Sequence, residues 1–350
     1  MNLKPIEEQV IVITGATSGI GLVTARMAAN RGAKLVLAAR NQKALDTLEK
    51  ELRSKSIDVI TVTADVALES DVVKIASDAL AEFGNFNTWV NNAGVSIYGN
   101  LEEVPLEDSK KLFDTNFWGT VNGSLVAARN LKINGGALIN VGSVLSDRAI
   151  PVQGMYCASK HAVKGFTDAL RMELEAEKAP VSVTLVKPSA IDTPYKAHAK
   201  SYLKEEPQNP PPVYSPETVA KAILHCAELP VRDVVVGGGG RTLAFLGSLV
   251  PRSTDVVMEN TMIEIQRDDE LAGRRKFESL YEPNDDRLRE RGGYEGHVAE
   301  SSLYTQASLH PVVTGAALAV GIGGLLFALN RTSRPDGISR LRDRSPLDRA

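Results

Sequence analysis

Only two cysteines, Cys157 and Cys226, occur in 350 residues. That excludes a disulfide framework and any cysteine-rich metal site, since both need several thiols at short spacings. The five histidines are scattered without an H-x-x-x-H spacing, so no metal site is expected and a reducing compartment is. Neither sign of charge predominates: 40 basic residues meet 43 acidic ones for a net charge of −3. A sequence-independent grip on nucleic acid therefore lacks its electrostatic basis, and nucleic acid is not an expected partner. The amino terminus, MNLKPIEEQVIVITG, has charges where a signal peptide needs an unbroken apolar run. Export by that route is not expected, and the catalytic part should face the cytoplasm.

What is present is a rhythm of short apolar runs: VIVITG, AKLVLAAR, DVITVTAD, NTWVNNAG, GALINVGS, VSVTLVKP and DVVVGG. Each is separated from the next by a helix-length segment. Near-continuous apolar strands alternating with helices are the pattern of a parallel sheet covered on both faces. Right-handed crossovers then give an α/β fold with a doubly wound parallel sheet of about seven strands, over residues 1–240. Ligands are expected outside the carboxyl ends of its strands.

Beyond Gly240 the pattern changes, and residues 241–309 read as a mostly helical C-terminal extension. Its RTLAFLGSLVPR stretch suits a short amphipathic helix, docked on the main domain or lying on a membrane surface. From Pro311 to Leu329 the chain carries no charge for 19 residues, just long enough to span a hydrocarbon core. Residues 310–330 are thus expected to be an apolar helix that spans a membrane, lies on it, or packs in an oligomer. The tail at 331–350 is rich in arginine and is expected to be disordered. That charge would keep the tail cytoplasmic, which a single span from a cytoplasmic domain cannot satisfy.

Three local patterns carry chemistry. VIVITGATSGIG places Gly15, Gly19 and Gly21, with Thr17, Ser18 and Ile20 between them, between a buried strand and a helix. Glycine there lets the backbone turn sharply and approach a phosphate at a helix amino terminus, which predicts a dinucleotide site. The next strand ends in Ala39 and Arg40 where an acid would receive the ribose hydroxyls of NAD. Arg40 can pair with a 2′-phosphate, so NADP(H) is expected over NAD(H). Third, Tyr156 and Lys160 lie four apart and share a helical face. Alone, that spacing is equally consistent with a surface pair.

Together these residues resemble the short-chain dehydrogenase/reductase family in its single-domain, Rossmann-type form. The resemblance rests on TGATSGIG (14–21), AD (64–65), NNAG (91–94), NFWG (116–119), Ser143 and YCASK (156–160), in family order over about residues 7–240. It implies that Tyr156 is the general acid/base and that Lys160 tunes it while bonding the nicotinamide ribose. It further implies that Ser143 holds the substrate oxygen and that Asn116 holds a water linking Lys160 to solvent. On the cofactor side it implies Asp65 at the adenine, Val66, Asn91, Asn92, Ala93 and Gly94 with the last four along the central sheet, Pro188, and Ile191 and Thr193 at the carboxamide. Architectural or capping roles remain open for Asp65, for the NNAG residues and for Thr193. Ser189 departs from the pattern, standing where the family has glycine. The region 194–217 is expected over the substrate, and a homo-oligomer through the helices carrying Asn116 and Tyr156 is implied.

The expected activity is NADP(H)-dependent interconversion of a ketone or aldehyde with an alcohol. A lipophilic substrate is favoured if the tail binds membrane. The alternative is a non-catalytic dinucleotide-binding sensor or scaffold on the same fold.

Overall fold

The computed structural model describes residues 1–271, 278–283, 288–310 and 314. Met1–Leu309 form one compact unit. The apolar run and the arginine-rich tail lie outside the described residues, apart from His310 and Thr314.

Strands β1 (Val10–Thr14), β2 (Lys34–Ala39), β3 (Val59–Thr63), β4 (Thr88–Asn91), β6 (Gly136–Val141), β7 (Val181–Pro188) and β11 (Asp233–Val236) build one sheet. Its order is β3-β2-β1-β4-β6-β7-β11, parallel throughout. The chain steps outward from β1 to β3, then returns to place β4 on the other side of β1. That reversal opens a crevice at the carboxyl ends of β1 and β4.

Both faces are apolar for a simple reason of period. In β1, Ile11 and Ile13 face one core while Val10 and Val12 face the other; in β2, Leu35 and Leu37 oppose Val36 and Ala38 in the same way. Helices cover each side: α1 (Gly19–Asn30), α2 (Gln42–Arg53), α3 (Glu69–Phe83), α4 (Leu106–Phe113), α5 (Gly119–Asn134), α6 (Gly154–Ala176) and α8 (Pro216–Glu228). Helix α2 shows the logic: Ala44, Leu45, Leu48 and Leu52 form its buried stripe, and the Asn41 side chain accepts the Ala44 N–H at 3.0 Å to cap its start. Between α4 and α5, Asp114–Trp118 make a wider π-helical turn, a distortion that often marks functional positions.

Past β7 the chain forms a short helical turn, α7 (Tyr195–His198), and three small ribbons. Strand β5 (Ile97–Tyr98) pairs with β8 (Lys200–Ser201), β9 (Glu205–Pro207) with β12 (Arg267–Leu271), and β10 (Val213–Tyr214) with β13 (Val298–Ala299). The loop after β7 is thereby stitched to the extension and to the segment that follows β4. The extension opens with α9 (Gly238–Leu249) and α10 (Pro251–Ile265), and a short helix, α11 (Leu303–Leu309), ends it. Between them residues 278–283 and 288–297 are irregular. Helix α9 docks through Ala244 and Gly247, leaving Phe245 and Leu249 exposed. No described helix is long and apolar enough to cross a membrane.

Candidate active site

At the crevice the glycine turn closes against the end of β4. Gly15 has φ +67° and Gly19 φ +50°, the left-handed region that glycine enters without strain. A Cβ on Gly15 would sit 2.8 Å from Ala93 Cα, and one on Gly21 only 2.2 Å from the Gly15 oxygen. Asn92 fastens the junction, its Nδ2 donating to the carbonyls of Thr14 at 3.0 Å and Gly15 at 3.2 Å. Thr14 Oγ1 accepts the N–H groups of Asn92 and Ala93. The result is a cleft of ≈ 310 Å³ along the strand ends.

The cleft gathers nearly every residue singled out from the sequence. Gly15, Thr17, Ser18, Gly19 and Ile20 line it from the turn; Arg40 from just past β2; Asp65 and Val66 from just past β3; Asn92, Ala93 and Gly94 from just past β4. Ser143, Tyr156, Lys160, Pro188, Ile191 and Thr193 complete it. Three expected residues stay outside. Gly21 supplies only the space its missing side chain leaves. Asn91 is buried and spends its side chain on Trp89, Ser124 and Asn140, an architectural role. Asn116 in the π-helical turn accepts the Val95 N–H at 2.8 Å and donates to Val95 O and Ser159 Oγ. It lies behind the wall: a Cβ on Gly94 would meet Asn116 Oδ1 at 3.4 Å and Lys160 Nζ at 3.9 Å.

Two expected roles take a different geometry. Asp65 Oδ1 accepts the Ala67 N–H at 3.0 Å and its Oδ2 faces Lys111 at 3.5 Å, so it shapes its own turn while lining the cleft. Ser143 Oγ accepts the Leu145 N–H at 3.1 Å, starting the turn Val144–Ser146. Capping and facing the cleft are thus both properties of this one serine.

Tyr156 and Lys160 meet as the spacing predicts, with Nζ 5.7 Å from the ring centroid. The expected lowering of the tyrosine by the lysine is not what the geometry produces. Burial pushes Tyr156 up to about 12, against smaller opposing effects of the Tyr195 and Ser143 hydroxyls. Burial also brings Lys160 down to about 8, while Nζ donates to Val141 O at 2.9 Å. Cys157, between them, is pushed up to about 11 by burial, which suits a packing residue and not a nucleophile.

The residues fit a dinucleotide. The glycine cradle has no room for side chains, and Thr115, which lines the cleft, keeps a buried hydroxyl without a partner. Sequence reasoning missed the contribution of the extension. Ser279, Pro283 and Leu288 line the cleft, and the Arg40 guanidinium donates to the carbonyls of Ser279, Leu280 and Tyr281, the last at 3.2 Å. Tyr195 on α7 belongs to the loop expected over the substrate. Its ring meets Tyr156 edge-on at 5.6 Å, and its hydroxyl lies buried near Ser96 and Tyr156 without a well-formed hydrogen bond to either.

A doubly wound parallel sheet with a glycine-lined cleft at its topological switch point defines a dinucleotide-binding α/β protein. The chain belongs to the short-chain dehydrogenase family, whose sequence profile matches residues 9–203. It is 48% identical over 322 residues to YxnA, an uncharacterised oxidoreductase of Bacillus subtilis, covering 91% of this chain and 90% of that one. Among solved structures, a short-chain dehydrogenase of Burkholderia cenocepacia in complex with NADP matches with TM-score 0.62 and 27% identity, over 73% of this chain and 99% of the other. One from Burkholderia phymatum in complex with NAD matches with TM-score 0.61 and 26% identity, over 78% and 100%. The protein is therefore an oxidoreductase of this family.

Proposed function

We propose that the protein is an NADP(H)-dependent oxidoreductase that interconverts a ketone or aldehyde with an alcohol. The observation that carries this reading is the convergence of Ser143, Tyr156 and Lys160 in the cleft that also holds the glycine turn.

The bound nicotinamide would supply or accept the hydride. In reduction, Tyr156 gives its phenolic proton to the substrate oxygen as negative charge develops there. At about 12 its hydroxyl is fully protonated at neutral pH, so the proton is in place. Ser143 Oγ holds the same oxygen and orients it toward Tyr156. Lys160 spends one of its N–H groups on Val141 O, which leaves donors for the ribose hydroxyls. Near 8, it exchanges protons readily at working pH and can help reload the tyrosine.

The far wall of the cleft includes Val95, Tyr98, Val144, Leu145 and Ile150. It supports a carbonyl compound with an apolar body. For the cofactor, solved relatives of both kinds exist, so the preference for NADP(H) rests on Arg40 and on the missing acid at the end of β2. Because Arg40 also donates to the carbonyls of 279–281, Arg40→Ala should weaken both cofactors, and NADPH about tenfold more than NADH, as expected for loss of a charge-assisted bond. Fluorescence titration with both cofactors reads this. Equal losses for the two would remove the 2′-phosphate contact, and binding without turnover on any carbonyl or alcohol would favour the non-catalytic sensor.

A further inference from the structure

The extension does more than trail behind the domain. Ser279, Pro283 and Leu288 face the same cleft as Gly15 and Tyr156. Leu280 is fully buried in an apolar cluster with Val95, Leu112 and Tyr156. Backbone groups tie the segment to both places where a dinucleotide's phosphates are expected. Arg40 donates to its carbonyls at one end, and at the other Gly19 N–H donates to Arg289 O at 2.9 Å. Ser279 N–H adds a bond to His198 O at 2.8 Å.

One side chain organises the outer edge. Asp108 on α4 is buried and accepts hydrogen bonds from Tyr281 Oη at 2.6 Å and from Tyr202 Oη. It also pairs with Lys200 Nζ at 2.9 Å. Lys200 reaches Glu278 at 3.2 Å and lies over the Tyr281 ring at 5.2 Å. Burial alone would raise the Asp108 carboxyl, and the bonds from Tyr202, Tyr281 and Lys200 outweigh it and hold the group below its usual range. The carboxylate is thus charged and fully committed, so its bonds are of the stronger, charge-assisted kind.

We infer that residues 278–283 and 288–290 form a roof over the cofactor cleft, with Asp108 as the positioning residue that holds it shut through Tyr281. The inference rests on the dinucleotide reading above. The segment bounds the ≈ 310 Å³ space, and its carbonyls hold Arg40 and the Gly19 N–H, so a bound dinucleotide displaces those two bonds while buried Leu280 and the Asp108 latch keep the segment over the cleft. Its outer fastening is a surface latch: Tyr281 is 42% exposed. A cofactor entering or leaving must part that latch, and release should be slow while it holds.

The test uses the full chain with Tyr281→Phe, which removes one hydroxyl from an exposed side chain, and Asp108→Asn as a second variant. NADPH is preloaded and chased with excess NADP⁺ while its fluorescence is followed. The dissociation rate should rise about tenfold in Tyr281→Phe, the usual worth of a hydrogen bond to a charged group, and in the same direction in Asp108→Asn. Hydrogen exchange should show NADPH slowing the amides of 278–283 in the wild type and doing so less in the variants. Unchanged dissociation together with no cofactor-dependent protection of 278–283 would overturn the roof. Tighter NADPH binding by Tyr281→Phe would overturn it too, by making the segment an obstruction. A wild type that binds neither NADPH nor NADH would remove the cofactor reading and this inference together.

Discussion

Lys160 shows how burial alone can prepare a side chain for chemistry. Its ammonium is nearly water-free, and its pKa falls from 10.5 to about 8. The consequence for stability has a definite sign. Between pH 8 and 10.5 the unfolded chain carries a proton on this lysine that the folded chain has shed, so stability rises with pH across that window. Below pH 8 the full cost of burying the charge is present. In Lys160→Met that titration is gone, whereas the two buried cysteines titrate alike in both proteins and cancel. The unfolding free energy of wild type minus Lys160→Met, from urea curves at pH 7 to 9.5, should therefore climb with pH. Parallel behaviour would mean the lysine is solvated. At this scale the sequence was informative about identity and less so about state. Tyr156 and Lys160 were legible in YCASK, but burial, which raises the one and lowers the other, depends on chain segments far away in sequence.

The turn from β1 into α1 is the element on which the cleft depends. Gly21, in the first turn of α1, tolerates no side chain, because a Cβ would meet the backbone oxygen of Gly15 at 2.2 Å and Asn92 Nδ2 at 2.5 Å. Gly21→Ala should cost about 2 kcal/mol or more and weaken cofactor binding by deforming the turn. Gly165 in α6 is the control: nothing lies within 4 Å of its Cβ position, so Gly165→Ala should be neutral or stabilising by roughly 0.5 kcal/mol, through helix propensity. Chemical denaturation of both checks this. A Gly21→Ala protein as stable as Gly165→Ala would contradict the crowding. The turn was legible in TGATSGIG because glycine spacing is local, as were all seven main strands, each an apolar run. The π-helical turn at Asn116 was not, since nothing in NFWG distinguishes five-residue from four-residue winding.

For the molecule as a whole, the doubly wound sheet followed from apolar rhythm, and the path of the extension did not. Residues 278–290 carry charges and little periodicity, and the place of 278–283 and 288–290 is fixed by contacts to Asp108, His198 and Gly19 more than 80 residues distant in each case. Such long-range, backbone-mediated docking leaves no pattern in a single sequence. Arg40 is the instructive case. It was legible as the residue at the end of β2, whereas its partnership with the carbonyls of 279–281 was not. What unites sheet, cleft and extension is the claim that Tyr156 is the proton donor of an NADP(H)-dependent carbonyl reduction. The most direct test is NADPH oxidation by the full chain on a panel of apolar ketones and aldehydes, run beside Tyr156→Phe with cofactor binding measured in parallel. Turnover by the wild type, with Tyr156→Phe at least about a hundredfold slower and its NADPH affinity unchanged, is the predicted result. Turnover retained by Tyr156→Phe, or none by the wild type despite tight NADPH binding, would contradict it.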